Sequence, residues 1–582
     1  MKDSSVKKVL HQLRPYRLLL IAAVLCALVS VSLTLLVPVL VGRAIDHIIG
    51  KGEVGFGDVA RILGYIGAAV AGVTICQWLM TYLVNSISCK TVRDLRRQVF
   101  RKLNTVPLST IDTHGHGDLI SRVINDVDAV GDGLTQFFLQ LLSGVITIIG
   151  TLVFMLLTDW RIALAVFFLT PLSLFVAGFI GKLSARRFRE QQILQGEISS
   201  FVEEYVGNQR LVKAFAYEQR SYEAFDRFNT TLLDVGFKAQ YAGALANPTT
   251  RLVNAIVYAA VGIIGALTVL SGSLTVGGLS CFLTYANQYT KPFNEVTGVL
   301  TQLQTGIAAA SRVFEVLELE DETPDRADAP SPARRGEVSI RDVSFSYTPD
   351  KPLIRHFSLE VPAGTRVAIV GPTGCGKTTL INLLMRFYDV DSGAVLVDGT
   401  DIRLMKRDDL RSRCGMVLQD SWLFCGTIME NLRYGNENAT DEQVIAAAKA
   451  AYAHSFIRRM PKGYDSPVSE GGGNLSQGQK QLLCIARAML TDPEIMILDE
   501  ATSSIDTLTE IRVQKAFARM MKGRTGFVVA HRLSTIRESD VILVMRDGNI
   551  VEQGSHRELL RKKGFYEELY RSQFATQETA RA

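Results

Sequence analysis

The chain lacks the charge excess of a nucleic-acid binder. Its 63 lysines and arginines stand against 58 acids, and a formal net charge of +5 is small for 582 residues. It also lacks clustered cysteine. Cys26, Cys76, Cys89, Cys281, Cys375, Cys414, Cys425 and Cys484 are scattered, with no CxxC and no Cys/His grouping. They read as reduced thiols, mostly packing residues, rather than as a disulfide framework. No small-residue cleavage pattern follows the first apolar run, Leu18–Val41, which is too long for a signal peptide. What is present is a strong asymmetry under a 47% hydrophobic average. Long apolar runs fill roughly the first half of the chain, and the remainder reads as a soluble α/β protein.

Leu18–Val41 has the length of a transmembrane helix, for which about 20 apolar residues suffice. Five more segments have spanning character: Val59–Val84, Leu134–Leu157, Ile162–Leu183, Leu252–Leu270 and Val276–Tyr289. The last is short and continues as a polar, helix-compatible run through Leu317. Lys2, Lys7, Lys8, Arg14 and Arg17 precede the first span, and basic residues crowd the loops after the second and fourth. The opposite loops, "TDWR" and "SGSLTVGG", are short and nearly uncharged. By the positive-inside rule, both chain ends and the two long loops are cytoplasmic. The expectation is a multi-pass protein of the cell (inner) membrane. A soluble protein with buried helices is the competing reading, and it leaves the charge alternation unexplained.

The long loops carry helical periodicity in "TVRDLRRQVFRKL" and "RRFREQQILQGEISSFVEEY", so the spanning helices are expected to continue far beyond the bilayer. Each loop has a break with room for a short crossing helix, at "PLSTIDTHGHG" and at "AFAYEQRS". The stretch "DETPDRADAPSPARRG" (321–336) is charged and Pro-rich, without hydrophobic periodicity. It reads as a linker between a domain at 1–320 and another at 337–582.

After that linker, "EVSIRDVSFSY" alternates as a half-buried strand does. "TRVAIVGPTGCGKTTLINLL" then runs an apolar strand into the full G-x-x-x-x-G-K-[ST] pattern and a helix. Glycines at this spacing let backbone N–H groups surround phosphate oxygens, and the helix adds its positive end. Gly371, Gly374, Cys375, Gly376, Lys377, Thr378 and Thr379 form this nucleotide-binding set. Lys377 reaches the β and γ phosphates, the Thr378 hydroxyl is placed for Mg²⁺, and Cys375 is a small filler rather than a nucleophile. "EIMILDEATSS" supplies a second acidic element. Asp499 is suited to the Mg²⁺ hydration shell, and Glu500 to polarising the attacking water. "EGGGNLSQGQKQ" (470–481) has neither His nor Cys, yet its glycines and small polar residues suit close backbone approach.

This order of motifs resembles the ATP-binding cassette (ABC) exporters in which one membrane domain is fused to one nucleotide-binding domain. The resemblance covers nearly the whole chain. It implies six transmembrane helices with long cytoplasmic extensions, joined to an α/β P-loop ABC ATPase. It implies ATP and Mg²⁺ as cofactors, and Tyr347 as the aromatic that stacks on adenine. Gln419 becomes the loop glutamine that senses Mg²⁺ and the membrane domain, and His531 the switch histidine at the γ-phosphate. Asn474–Gln479 ("NLSQGQ") becomes the signature, with Ser476, Gly478 and Gln479 facing nucleotide. Asp506 falls in the loop that crosses to the partner, and Glu470 in the loop facing the coupling helices. The usual signature has glycine where this chain has Gln477, while Gly478 keeps close approach open.

In that family one subunit's signature closes over the other's phosphate loop. The chain is therefore expected to pair with a second half-transporter, identical or different. Membrane lipid and a small-molecule, lipid or peptide substrate are the further partners, and nucleic acid is not among them. Gln136, Phe137, Phe138 and Gln140 on the third span, and Tyr285, Asn287, Gln288, Tyr289 and Lys291 on the sixth, are pocket candidates. They serve equally as helix–helix packing. ATP-driven export by alternating access is the leading reading. An ATP-gated regulator or channel that does not pump is the rival, with a soluble cassette ATPase and an importer further behind.

Overall fold

Apolar runs free of breakers become long helices. A computed structural model describes residues 2–48, 55–348, 350–418, 421–499, 506–530 and 536–573. The chain divides into two compact units: Met1–Thr105 with His114–Glu320, and Val106–Thr113 with Asp321–Ala582.

The first unit is helical: α1 (Lys2–Gln12), α2 (Arg17–Asp46), α3 (Phe56–Leu103), α5 (His116–Ser121), α6 (Val127–Gln136), α7 (Ser143–Thr158), α8 (Trp160–Gly207), α9 (Gln209–Ala214), α10 (Glu218–Ala244), α11 (Ala246–Leu270) and α12 (Val276–Leu317). α4 (Leu108–Thr113) belongs to the second unit. α5, α6 and α7 are joined by π-helical turns at Arg122–Asp126 and Phe137–Leu142. Among the described residues, four helical stretches are long and apolar enough to cross a membrane: Arg14–Asp46, Phe56–Leu103, His116–Thr158 and Arg251–Leu270. The other two expected spans lie within α8 and α12, continuous helices of 48 and 42 residues. At ~1.5 Å per residue, a helix of α8's length outreaches a hydrocarbon core of about 30 Å more than twofold.

The two short, nearly uncharged loops turn out to be cap sites. Asp159 accepts from the Arg161 amide (2.8 Å) to start α8, and Thr275 accepts from the Gly278 amide (2.9 Å) to start α12. The first expected crossing helix forms at α4 and ends before His114–Gly115. The second is corrected in position. α9 lies upstream of the expected break, because Ala216 turns left-handed at φ +50° and ends it.

α2 and α12 touch through backbone. A Cβ on Gly277 would sit 1.9 Å from the Gly42 carbonyl oxygen, and Asp46 accepts from the Gly277 amide at 2.8 Å. Gly277→Ala is expected to destabilise this contact by about 1–3 kcal/mol through overpacking. Gly262→Ala, which meets open space, gains helix propensity instead. Thermal melts of both variants in detergent check this, and equal melting temperatures would contradict the close approach.

The second unit is built on sheets. Strands β1 (Val338–Phe345), β2 (Ile354–Val361), β4 (Ser392–Val397) and β5 (Thr400–Asp401) form an antiparallel sheet in the order β2-β1-β4-β5. β1 is not a clean alternation, because its register shifts between Ile340 and Val343 at left-handed Asp342. A six-stranded sheet has the order β12-β11-β3-β10-β9-β6. Its members are β3 (Arg366–Val370), β6 (Cys414–Val417), β9 (Ile495–Asp499), β10 (Thr525–Val529), β11 (Val541–Arg546) and β12 (Asn549–Gly554), with only β12 antiparallel. β7 (Gly426–Thr427) pairs with β8 (Pro467–Val468). The helices are α13 (Lys377–Leu384), α14 (Arg407–Ser412), α15 (Ile428–Arg433), α16 (Asp441–Ala450), α17 (His454–Ile457), α18 (Gln477–Leu490), α19 (Thr507–Met520), α20 (His556–Lys562) and α21 (Phe565–Gln573).

Three apolar cores result. One lies around β1–β4 and α13. A second lies under α15, α16, α18 and α19, and a third packs β3 and β11 against α20 and α21. Residues 321–336 form neither helix nor strand, yet they are fastened to this unit by buried arginines. Arg407 donates to the Thr323 carbonyl and to Asp325 (both 2.7 Å), and Arg413 to the Pro332 carbonyl (2.9 Å).

Candidate functional site

Strand topology gathers the motifs. β3, β10 and β9 are parallel neighbours, with Val529 opposite both Ile369 and Asp499. β6 continues the sheet, with Val417 opposite Leu498. The phosphate loop, Glu500, His531 and Gln419 therefore all follow the carboxyl ends of strands in one parallel array, the edge where α/β sheets bind ligands. Glu500, His531 and Gln419 themselves lie outside the described residues. Asp499 ends β9, half-buried.

The phosphate loop has the shape its glycines permit. A Cβ on Gly371 would meet the Met545 carbonyl at 2.3 Å, so only glycine passes β11 there. Gly374 and Gly376 take φ of +83° and +100°. Gly376 starts α13 without a side-chain cap, which leaves the first-turn amides for a ligand. Lys377 is 8% exposed, and its Nζ donates to the carbonyls of Gly371 and Pro372, both at 2.8 Å. Among the described residues its ammonium meets no carboxylate. A buried cation beside uncapped amides fits an anion of phosphate type. Thr378 is exposed. Cys375 is buried in the core, with its Sγ 3.8 Å from that ammonium.

Tyr347 is 47% exposed and follows β1. Its hydroxyl donates to Thr379 Oγ1 (3.2 Å) and accepts from Asn382 Nδ2 (3.2 Å), so it is fastened to α13 at a buried threonine and a half-buried asparagine. Among the described residues no three His, Cys, Asp or Glu side chains group as a metal cage. A divalent cation here would depend on Thr378, Asp499, Gln419, phosphate oxygens and water. All eight cysteines are free thiols, and burial pushes that of Cys414 up to about 12.

The signature segment is a helix start. Ser476 caps α18, accepting from the Gln479 amide (3.3 Å), while Gln479 Oε1 accepts from the Ser476 amide (3.0 Å). Gly471 and Gly472, at φ +57° and +69°, turn the chain, and Lys480 Nζ donates to the Gly471 carbonyl (2.7 Å). Glu470 begins the turn Glu470–Gly472. Gln477 occupies the first helical position and is exposed, while Gly478 is buried. Asp506 caps α19 by accepting from the Thr509 amide (2.9 Å), which holds its carboxyl below the usual range.

Other residues escaped the sequence reading. Arg487 on α18 donates to the Asn431 carbonyl (2.9 Å) and to the Trp422 carbonyl (3.2 Å). It thereby ties the segment after Gln419 to the signature helix. An arginine on the buried side of an amphipathic helix was the available signal. Among the pocket candidates, Tyr285 is committed to packing: it is fully buried and donates to the Leu35 carbonyl at 2.6 Å, one turn before Pro38 inside α2. Tyr289 is buried as well. Gln136 and Phe138 are half-buried, and Phe137, Gln140, Asn287 and Lys291 are exposed. Gln288 lines a cavity of about 300 Å³ with Thr34, Val70 and Thr74.

A phosphate loop at the carboxyl edge of a parallel sheet, in a chain that also carries membrane-length helices, defines a membrane-anchored P-loop ATPase. The ABC transporter transmembrane region matches residues 20–293, and the ABC transporter cassette matches residues 354–503. A fatty acid ABC transporter ATP-binding/permease protein of Mycobacterium tuberculosis is 37% identical, over 98% of this chain and 96% of its own. An ATP-dependent lipid A-core flippase of Desulfotalea psychrophila is 36% identical, over 98% and 99%. The solved structure of a bacterial Atm1-family ABC exporter with ATP bound is 30% identical. It matches 96% of this chain and 98% of its own, with a TM-score of 0.78. The chain belongs to the ABC transporter family, and it is an ATPase coupled to export across a membrane.

Proposed function

We propose that two half-transporters, identical or not, pair to export or flip an amphipathic, lipid-like substrate, with ATP shared between one chain's phosphate loop and the other's signature. One observation carries this reading. The signature belongs to the core under α18 and the phosphate loop to the core around α13. Among the described residues no hydrogen bond joins 471–480 to 371–379. The amides of Gln477 and Gly478, which the capping box does not use, are therefore left for another molecule's phosphate. Leu211, Phe215 and Tyr217, at 59%, 73% and 40% exposure around α9, supply an apolar knob for a partner's cassette.

In the proposed cycle Lys377 and the loop amides hold the β and γ phosphates. Tyr347 supports adenine, and Glu500 accepts a proton from the attacking water. His531 orients the γ-phosphate, and Asp506 lies beside the partner's site. Magnesium, held by Thr378, Asp499 and Gln419 through water, would neutralise the phosphate charge. Domain bounds of 1–320 and 337–582, with both ends cytoplasmic, complete the proposal. The relatives named for fatty acid and lipid A-core favour an acyl-chain substrate.

The test is ATP-dependent flipping of a fluorescent phospholipid and a fluorescent fatty acid in proteoliposomes. Glu500→Gln is expected to keep ATP binding and to lower turnover and flipping by about 10²-fold or more. Flipping that persists in this variant at equal protein level would sink the pump mechanism.

A further inference from the structure

α4, in the loop between the second and third spans, packs within the same unit as the nucleotide site. Its Asp112 accepts a hydrogen bond from the Tyr388 hydroxyl. Tyr388 follows α13, the helix that begins at the phosphate loop, and the turn that presents it is firmly held. Arg386, left-handed at φ +51° and 7% exposed, donates from Nη1 to the carbonyls of Ile402 (3.1 Å) and Met405 (3.2 Å). Its Nε donates to Asp389 (3.1 Å). The Phe387 amide returns to the Asn382 carbonyl at 2.9 Å.

The Tyr388 ring stands edge-to-face against Tyr347, with centroids 5.0 Å apart and planes at 88°. Phe345 touches both rings, at 4.9 Å from Tyr347 and 5.7 Å from Tyr388. Tyr347 in turn binds Thr379 and Asn382 on α13. A continuous path thus runs from Asp112 through Tyr388 and Tyr347 to the phosphate-loop helix. Its links are one hydrogen bond, one ring contact and two more hydrogen bonds.

We propose that Tyr388 is a positioning residue for the nucleotide base, through which α4 sets the orientation of Tyr347. The proposal rests on Tyr347 being the adenine platform. The path touches the base through that ring and meets α13 at Thr379 and Asn382, beyond Lys377, so its effect is expected on the base more than on the phosphates. Burial and the neighbouring Asp112 carboxylate both raise the Tyr388 phenol, so it stays protonated and donates throughout the working pH range.

The experiment uses the full chain in proteoliposomes, with KM for ATP and the inhibition constant of inorganic tripolyphosphate as readouts. Tyr388→Phe keeps the ring and loses the donor. It is expected to raise KM about fivefold, the scale of one hydrogen bond, with kcat changed less than twofold and tripolyphosphate inhibition unchanged. Asp112→Ala should match it, the double variant should add nothing, and Asp112→Asn, which keeps an acceptor oxygen, should restore KM. The proposal is overturned if Tyr388→Phe leaves KM unchanged, if both constants move by the same factor, or if the two single effects multiply. Tyr347→Ala separates the premises. If it leaves KM for ATP unchanged, the platform itself is wrong and the proposal falls with it. If it raises KM while Tyr388→Phe is silent, only the role of Tyr388 is wrong.

Discussion

Lys377→Ala is expected to reduce ATP hydrolysis by roughly 10²–10³-fold or more, the range seen when one donor is removed from a preorganised anion site. The ammonium is buried and has no carboxylate among the described residues. Its contacts are the carbonyls of Gly371 and Pro372 and the Cys375 sulfur. Carbonyl dipoles hold such a charge only in part. A nucleotide that brings phosphate oxygens to the loop therefore gains a charge-assisted hydrogen bond largely unopposed by an internal ion pair. Lys377→Arg should not rescue turnover. The planar guanidinium is larger than the ammonium, and the loop closes tightly where Gly371 faces the Met545 carbonyl. Folding should survive in both variants, because Gly371 and Pro372 are open enough for water to replace the lost donor. ATPase rates beside a thermal melt check the claim. Turnover within tenfold of the parent at an unchanged melting temperature would refute it.

The phosphate loop was legible because its determinants are local. Glycine at 371, 374 and 376, a preceding apolar strand and a following helix can all be read from one short window. The capping box at Ser476 and Gln479 is equally local, three residues apart. The loops "TDWR" and "SGSLTVGG" already contained their caps, Asp159 and Thr275, although their function as helix starts emerged only with the hydrogen bonds. Position along the chain was less secure. The second crossing helix formed upstream of the expected break because a single left-handed alanine, Ala216, decides where it ends.

Contacts between distant segments were not legible. Tyr388 and Asp112 are 276 residues apart, and neither lies in a motif. The π-helical turns at Arg122–Asp126 and Phe137–Leu142 leave no mark in the hydrophobic periodicity. The stretch 321–336 reads as a linker because it has no apolar pattern, and that absence says nothing of what holds it. Its attachment comes from the guanidinium groups of Arg407 and Arg413, with Arg386 Nη1 3.8 Å from Asp325, and such partners cannot be chosen from sequence spacing.

Arg413 makes that attachment testable. Its side chain is 1% exposed and pairs with Asp398 (3.2 Å, 4% exposed) and Asp409 (3.0 Å, 21% exposed). The same guanidinium donates to Ser331 Oγ (3.1 Å) and the Pro332 carbonyl (2.9 Å). Asp398 also accepts from the amides of Arg335 (3.2 Å) and Glu337 (3.0 Å), so both ends of the pair grip the segment that leads into β1. Arg413→Ala leaves the Asp398 carboxylate buried without its cation, a change that costs about 3–5 kcal/mol. The two amides on Asp398 favour the lower end of that range. Removing both charges while keeping volume should recover more than half the loss, because apolar replacement of a buried pair is often neutral. Arg413→Met with Asp398→Asn does this, since asparagine tolerates the φ of +50° at position 398. Trp422 can report cassette unfolding in urea once Trp78 and Trp160, the other two of three tryptophans, are replaced by phenylalanine. Limited trypsin digestion after Arg334 and Arg335 reads the segment directly. Cleavage should accelerate in Arg413→Ala and slow again in the double variant. A transition shifted by less than about 1 kcal/mol with unchanged cleavage would mean that the segment is held by something other than this arginine.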